Sequence, residues 1–166
     1  MALVQLSISA LPVHVRTARL VASAVARRSG LPESALDEVR LAVGEACSRA
    51  VENHRTHCPQ QPITVELREH IQSSPGPGRF EVTVLDRAPG AERPPGGGGV
   101  PTAALPYAEA GEVSGLSPDI GLAVISGLAD QVDVEGSANG TTIRMSWPIG
   151  DQQPSETGTR TGEFSG

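Results

Sequence analysis

At 166 residues, with 38% hydrophobic residues and a formal net charge of −6, the chain is long enough for one domain with a real core and too acidic for a general nucleic-acid surface. Glycine (19) and proline (14) are both abundant, so ordered segments are expected to alternate with flexible ones. MALVQLSISALP lacks a basic start ahead of a long apolar run, no stretch approaches the ~20 apolar residues of a membrane span, and two cysteines give no disulfide framework. The expectation is a cytoplasmic protein that touches neither membrane nor nucleic acid directly.

In chain order, LVQLSIS alternates apolar and polar residues, as a strand with one buried face does. After Leu11-Pro12 a helix is expected to about Arg28, with Val13, Val15, Leu20, Val21, Ala24 and Val25 as its apolar side and SGLP as its stop. PESALDEVRLAVGEACSRAVENH reads as a second helix, opened by Pro32 and Glu33. Its Leu36, Val39, Val43, Cys47 and Ala50 recur at helical spacing and form a core stripe. ITVELREH and FEVTVLD alternate like two strands of a hairpin, joined through the turn-rich SSPGPG.

From Arg87 to Pro118 the pattern lapses. Thirteen of those 32 residues are Gly or Pro, too many to bury the apolar surface that would offset ordering entropy, so a mobile loop is expected. PDIGLAVISGLADQ restores helical periodicity, with Ile120, Val124 and Leu128 expected to face inward. VDVEG and TTIRMSWP then make a closing hairpin around SANG, with Phe80 and Trp147 as core aromatics on strands. This order predicts an α+β fold, a two-layer sandwich of a mostly antiparallel sheet with helices on one face. The domain is expected over 1–148, with 87–118 as a flexible segment and 149–166 as a disordered tail.

Chemistry concentrates in three places. On the second helix, Glu38, Glu45, Arg49 and Glu52 share a polar face away from the core stripe. Glu45 and Arg49 stand at i, i+4 with the acid first, worth about 0.2–0.5 kcal/mol as an exposed pair; the same Glu45 would serve as a general base if it lined a nucleotide cleft. In VTVLDRAPG, a strand delivers Asp86 to a sheet edge, where it suits an adenine amino group, and Gly90 lets backbone approach a ligand; ordinary turns share this pattern. In SPDIGLAVISGLAD a loop enters a helix through Gly121. Its amides suit phosphate, whereas Asp119 there suits a helix cap and opposes phosphate.

Taken in order, LDEVRLAVGEACSRAVENH, VLDRAPG and IGLAVISGLADQVDVEGSANGTTIRMSWP resemble the ATP-binding anti-sigma factors with serine-kinase activity, the RsbW-like group of the GHKL ATPase superfamily. The resemblance covers Leu3 to Pro148 and implies a GHKL, Bergerat-type sandwich. It implies Glu45 as general base towards a serine of a partner protein, and Asp86 as the adenine-binding aspartate with Gly90 as the second glycine after it. Gly121 and Leu122 correspond to the end of the phosphate-loop motif, Thr141 or Thr142 to the adenine-side threonine, and the Gly/Pro-rich tract to an ATP lid. Implied cofactors are ATP or ADP with Mg²⁺; implied partners are a sigma factor and a STAS-type anti-anti-sigma protein. A homodimer through sheet edges and first elements is also implied.

The departures from the family pattern lie in the site. Arg49 replaces the asparagine that helps hold Mg²⁺, and a guanidinium has no lone pair for a metal. Ala88 replaces the first glycine of the aspartate motif, and Ser117 and Asp119 stand where the phosphate loop has glycines. Asn53 replaces the family's histidine; His54, one residue later, is expected to point elsewhere. These changes favour a partner-binding regulator with a degenerate ATP site over an active serine kinase acting on its STAS antagonist. A stand-alone histidine kinase fits worse, since His14 has no acidic neighbour and no dimerisation helix carries it. His54, His57 and Cys58, with Cys47 upstream, lack a fourth ligand at zinc spacing, so surface histidines at a helix end and a buried Cys47 are expected instead. With 2% aromatic residues there is no stacking platform for single strands.

Overall fold

The computed structural model describes residues 2–70, 78–89 and 118–149. The elements are β1 (Ala2–Ile8), α1 (Pro12–Arg28), α2 (Glu33–His57), β2 (Ile63–His70), β3 (Arg79–Leu85), α3 (Pro118–Leu128), β4 (Gln131–Ser137) and β5 (Gly140–Pro148). The strands form one sheet in the order β1-β2-β3-β5-β4, every neighbouring pair antiparallel. The three helices cover one face. The fold is thus the expected α+β sandwich. Residues of the SSPGPG turn, almost all of the 87–118 tract and the tail beyond Ile149 lie outside the described residues.

Alternation along the central strands decides which face is covered. Ile63, Val65 and Leu67 of β2, Phe80, Val82 and Val84 of β3, and Ile143, Met145 and Trp147 of β5 are all buried beneath the helices. The opposite face carries Glu66, Arg68, Glu81 and Arg144, with Arg68 bonded to Glu66 at 2.8 Å. Phe80 and Trp147 meet as a tilted pair, centroids 6.3 Å apart, and the indole N–H of Trp147 donates to the Leu128 carbonyl at 3.0 Å. That bond ties the end of α3 to β5 and satisfies the one polar atom of a buried aromatic.

α1 begins with Pro12 in its first turn and ends in a Schellman motif. Gly30 takes φ 87°, its N–H reaches the Arg27 carbonyl, and the Leu31 N–H reaches that of Ala26. α1 buries Val15, Ala18, Ala22, Ser23 and Ala26, whereas Val13, Leu20 and Ala24, expected on the apolar side, are exposed. The reason is steric: a face of small residues lets α1 lie close on α2, and the larger side chains fall on the outside. α3 departs likewise. Gly121 and Ile125 are buried and Leu122 and Leu128 half-buried, while Ile120 and Val124 are exposed rather than inward.

α2 runs one turn past its expected end, to His57, and is buried along most of its length because α1, α3 and the sheet surround it. The stripe Leu36, Val39, Val43, Cys47 and Ala50 is buried as expected. It continues to His54, which is fully buried and not a surface histidine. Among the described residues, no helix is long and apolar enough to cross a membrane.

Candidate functional site

α2 presents Glu45, Arg49 and Asn53 at successive i, i+4 steps, so all three project to the side of the helix that meets α3 and the end of β3. Each is half-buried, and Glu38, on the same polar face, is exposed. Glu45 Oε1 is sealed from solvent, and neither Glu45, Arg49 nor Glu52 is without a partner. Gly121 explains how α3 comes so near: a Cβ there would collide with Glu45 Oε1. Only a glycine lets the first turn of α3 rest against that carboxylate. Leu122, next on α3, packs against the core.

Asp86 ends β3 and is held from three sides. Its Oδ1 accepts the backbone N–H of Ala88 at 3.1 Å and of Thr141 at 3.2 Å, and its Oδ2 accepts the Asn53 amide at 3.4 Å. Its own N–H donates to the Thr141 carbonyl at 2.9 Å. A carboxylate offers about four acceptor positions, so among the described residues a site on Oδ2 is left for one further donor. Gly140, with φ 137°, underlies this arrangement, because a Cβ would strike the Asp86 carbonyl oxygen. Ala88, buried where the family pattern has glycine, contributes its amide rather than its side chain.

Strand alternation separates the two threonine candidates. Thr141 shares parity with buried Ile143 and bonds Asp86 through its backbone, whereas Thr142 pairs with Leu85 and lines a cleft of about 360 Å³ with Gln5, Thr64 and Glu66 that also reaches Asp86 and Arg87 at the end of β3. Gly90 and Ser117 lie outside the described residues, as does the Asp119 side chain.

Asn53 and His54 are the residues whose roles the sequence did not reveal. Asn53 reaches Asp86 across 33 positions of sequence. His54 Nδ1–H donates to the Gln61 carbonyl at 3.0 Å, which leaves Nε2 to accept the Arg87 N–H at 2.8 Å. This neutral imidazole therefore fixes the backbone immediately after Asp86. Its burial follows from spacing, since 54 continues the 43, 47, 50 stripe. The bond partners have no signature in the sequence.

Burial pushes the Cys47 thiol up to about 12, with Arg19 pulling weakly the other way. Desolvation, and then the Asp86 charge, raises Cys58. Among the described residues no group of three His, Cys, Asp or Glu side chains can hold a metal.

The model of the histidine kinase-like ATPase domain family matches residues 8–147. No curated protein matches the chain. Among solved structures, the chain is similar to the crystal structure of the RsbU and RsbW domains of Rv1364c from Mycobacterium tuberculosis, with a TM-score of 0.60 and 17% identity. The match covers 90% of this chain and 32% of that one, so the chain spans about a third of its length. At that identity the likeness is one of fold.

Proposed function

The chain belongs to the histidine kinase-like ATPase domain family, and from that premise we propose a cytoplasmic partner-switching regulator that binds a sigma factor, a STAS-type anti-anti-sigma protein, or both, on a nucleotide scaffold with a degenerate metal position. The observation that carries this reading is a contrast along one face of α2, which carries Glu45, Arg49 and Asn53 at i, i+4 steps. At the adenine end, Asp86 is fixed by two backbone amides and Asn53 with an acceptor position to spare, an arrangement that fits an adenine amino group. One turn after Glu45, the position that would serve a metal is Arg49. A guanidinium is a permanent cation without a lone pair, so Mg²⁺ does not fit there. Arg49 suits phosphate oxygens directly, which supports ADP or ATP as a bound regulator more than as a phosphoryl donor. Partner binding needs an exposed surface and is indifferent to the lost ligand. The sigma and STAS identities rest on the RsbW-like resemblance, as do the domain over 1–148, its lid over 87–118 and a homodimer for which edge strand β1 is available; the 149–166 tail rests on its polar composition.

Titration calorimetry of the purified chain with ATP and ADP, with and without Mg²⁺, tests the reading. Nucleotide heat indifferent to Mg²⁺ agrees with it; no heat at millimolar nucleotide would remove the nucleotide and leave a protein-binding scaffold alone. Tight binding that requires Mg²⁺ would overturn the degenerate metal position. The second reading, an ATP-dependent protein serine kinase, is favoured by one feature: Gly121 holds the first turn of α3 against the Glu45 carboxylate, where a general base would stand. Loss of partner phosphorylation in Glu45→Ala, with binding retained, would establish it.

A further inference from the structure

Every one of the 13 basic residues in this acidic chain is arginine, and they are unevenly placed. α1 alone carries Arg16, Arg19, Arg27 and Arg28 with no carboxylate along its 17 residues. Among the described residues only Arg27 of these four has an ion pair, with Glu33. The outer side of the same helix exposes Val13 and Leu20, and α2 exposes Leu41 beside Arg40. Between the two helices runs a groove of about 420 Å³, lined by Arg16, Arg19 and Leu20 of α1 and by Arg40 and Ser48 of α2. Gly44 lets the Arg19 side chain lie against α2, because a Cβ at that position would press on its guanidinium. Arg40 is shared with Asp37 at 3.0 Å, an exposed pair that a competing carboxylate displaces at little cost.

We infer that this groove docks an acidic segment of a partner protein, one in which an apolar side chain sits between carboxylates. The charge is complementary, and the complement is specific. Three guanidinium groups around a concave apolar patch match planar carboxylates two bonds at a time, which a lysine surface does not do. The volume suits one or two anchoring side chains with charges at the rim, the anatomy of a small protein interface. An anionic membrane is the poorer fit, because it needs a convex basic face and a chain whose net charge does not repel it. The inference goes beyond the partner-switching reading and is independent of nucleotide: the groove lies where α1 meets α2, about a quarter turn round α2 from Glu45.

The test is an NMR titration of the ¹⁵N-labelled full chain with a synthetic amphipathic helical peptide bearing leucines flanked by glutamates. Two control peptides replace the glutamates by lysine or the leucines by serine. The expected result is shifts confined to α1 and the facing turns of α2, weakened by salt, with affinity down roughly tenfold or more in Arg16→Glu. Arg16 is exposed and outside any ion pair among the described residues, so that variant keeps its fold; unchanged circular dichroism and an unchanged ATP titration verify this. Equal binding of the lysine peptide, shifts elsewhere, or no binding at millimolar peptide would overturn the proposal. So would binding to equal-part phosphatidylcholine–phosphatidylserine vesicles without binding to the acidic peptide, or a sedimentation shift showing that the groove is filled by a second copy. A failed ATP titration of the parent chain touches only the nucleotide reading and leaves this one standing.

Discussion

Two glycines of the site make opposite demands, and replacing each by alanine separates them. At Gly140 the backbone has φ 137°, well past the left-handed region that an L-residue visits at a cost of about 1–2 kcal/mol. The new Cβ would also meet the Asp86 carbonyl oxygen and the Asp86 and Arg87 backbone, none of which can rotate away. Backbone strain of order 1–3 kcal/mol together with this overlap predicts a loss of about 3 kcal/mol or more for Gly140→Ala. At Gly121 the obstacle is the end of a flexible glutamate, and alanine gains about 1 kcal/mol of helix propensity over glycine. Gly121→Ala is therefore expected to stay within about 1 kcal/mol of the parent while displacing the Glu45 carboxylate. Urea unfolding reads both; with a slope of about 2 kcal/mol per molar, Gly140→Ala lowers the midpoint by about 1.5 M and Gly121→Ala hardly moves it. Equal midpoints for the two variants would refute the reasoning.

Three further outcomes follow from the core. His54→Leu keeps the volume but strands the Gln61 carbonyl and the Arg87 N–H, so it is expected to cost about 2–4 kcal/mol in the same unfolding assay. Cys47 ionises near its ordinary 9.0 once unfolded but only near about 12 in the fold, so the unfolded chain releases a proton that the folded chain keeps. Stability should thus fall as pH rises from about 9 towards 12, by up to about 1.4 kcal/mol per pH unit from Cys47, and Cys47→Ala should flatten that slope in urea titrations across the range, leaving the part that the raised Cys58 contributes. Trp147→Phe leaves the Leu128 carbonyl without its donor and should cost about 1–3 kcal/mol, against about 3–5 for Trp147→Ala; equal losses would show that the indole bond contributes nothing.

How much of this was legible in the sequence depended on which physical signal carried it. Period-two alternation located β2, β3 and β5 and put Phe80 and Trp147 in the core, because the sheet buries one face. The same logic failed on α1. Hydrophobicity picked Val13 and Leu20, but close helix packing is served by Ala18, Ala22 and Ala26, whose small size registers weakly in any apolar count. On α3, Ile120 and Val124 took the inward role in the sequence while Gly121 holds it in the structure, for steric reasons that a hydropathy pattern does not encode. In the candidate site, the spacing of Glu45, Arg49 and Asn53 was readable from the chain, and the roles of Glu45 and Asp86 came from the resemblance. The Asn53–Asp86 and His54–Arg87 bonds were not readable, since each joins residues 33 positions apart through a sheet-to-helix approach that no local pattern specifies.

α2 places two surfaces side by side, about a quarter turn apart. Gly44 faces the Arg19 guanidinium in the groove, and the next residue, Glu45, faces Gly121 on the side of the candidate nucleotide site. Any communication between an acidic segment in the groove and a nucleotide beside Glu45 has to involve this one element, which is buried along most of its length. A packed helix has little freedom to deform continuously, so coupling requires a discrete shift of α2 against α1 or α3. Linkage then makes the effect reciprocal: whatever factor the acidic peptide imposes on ATP affinity, ATP imposes on peptide affinity. Titrating each ligand in the presence of the other measures that factor twice. Two equal factors different from one would mean that α2 moves between two positions. Two factors of one would mean that α2 is a rigid wall and that release of a partner must be driven from elsewhere in the chain.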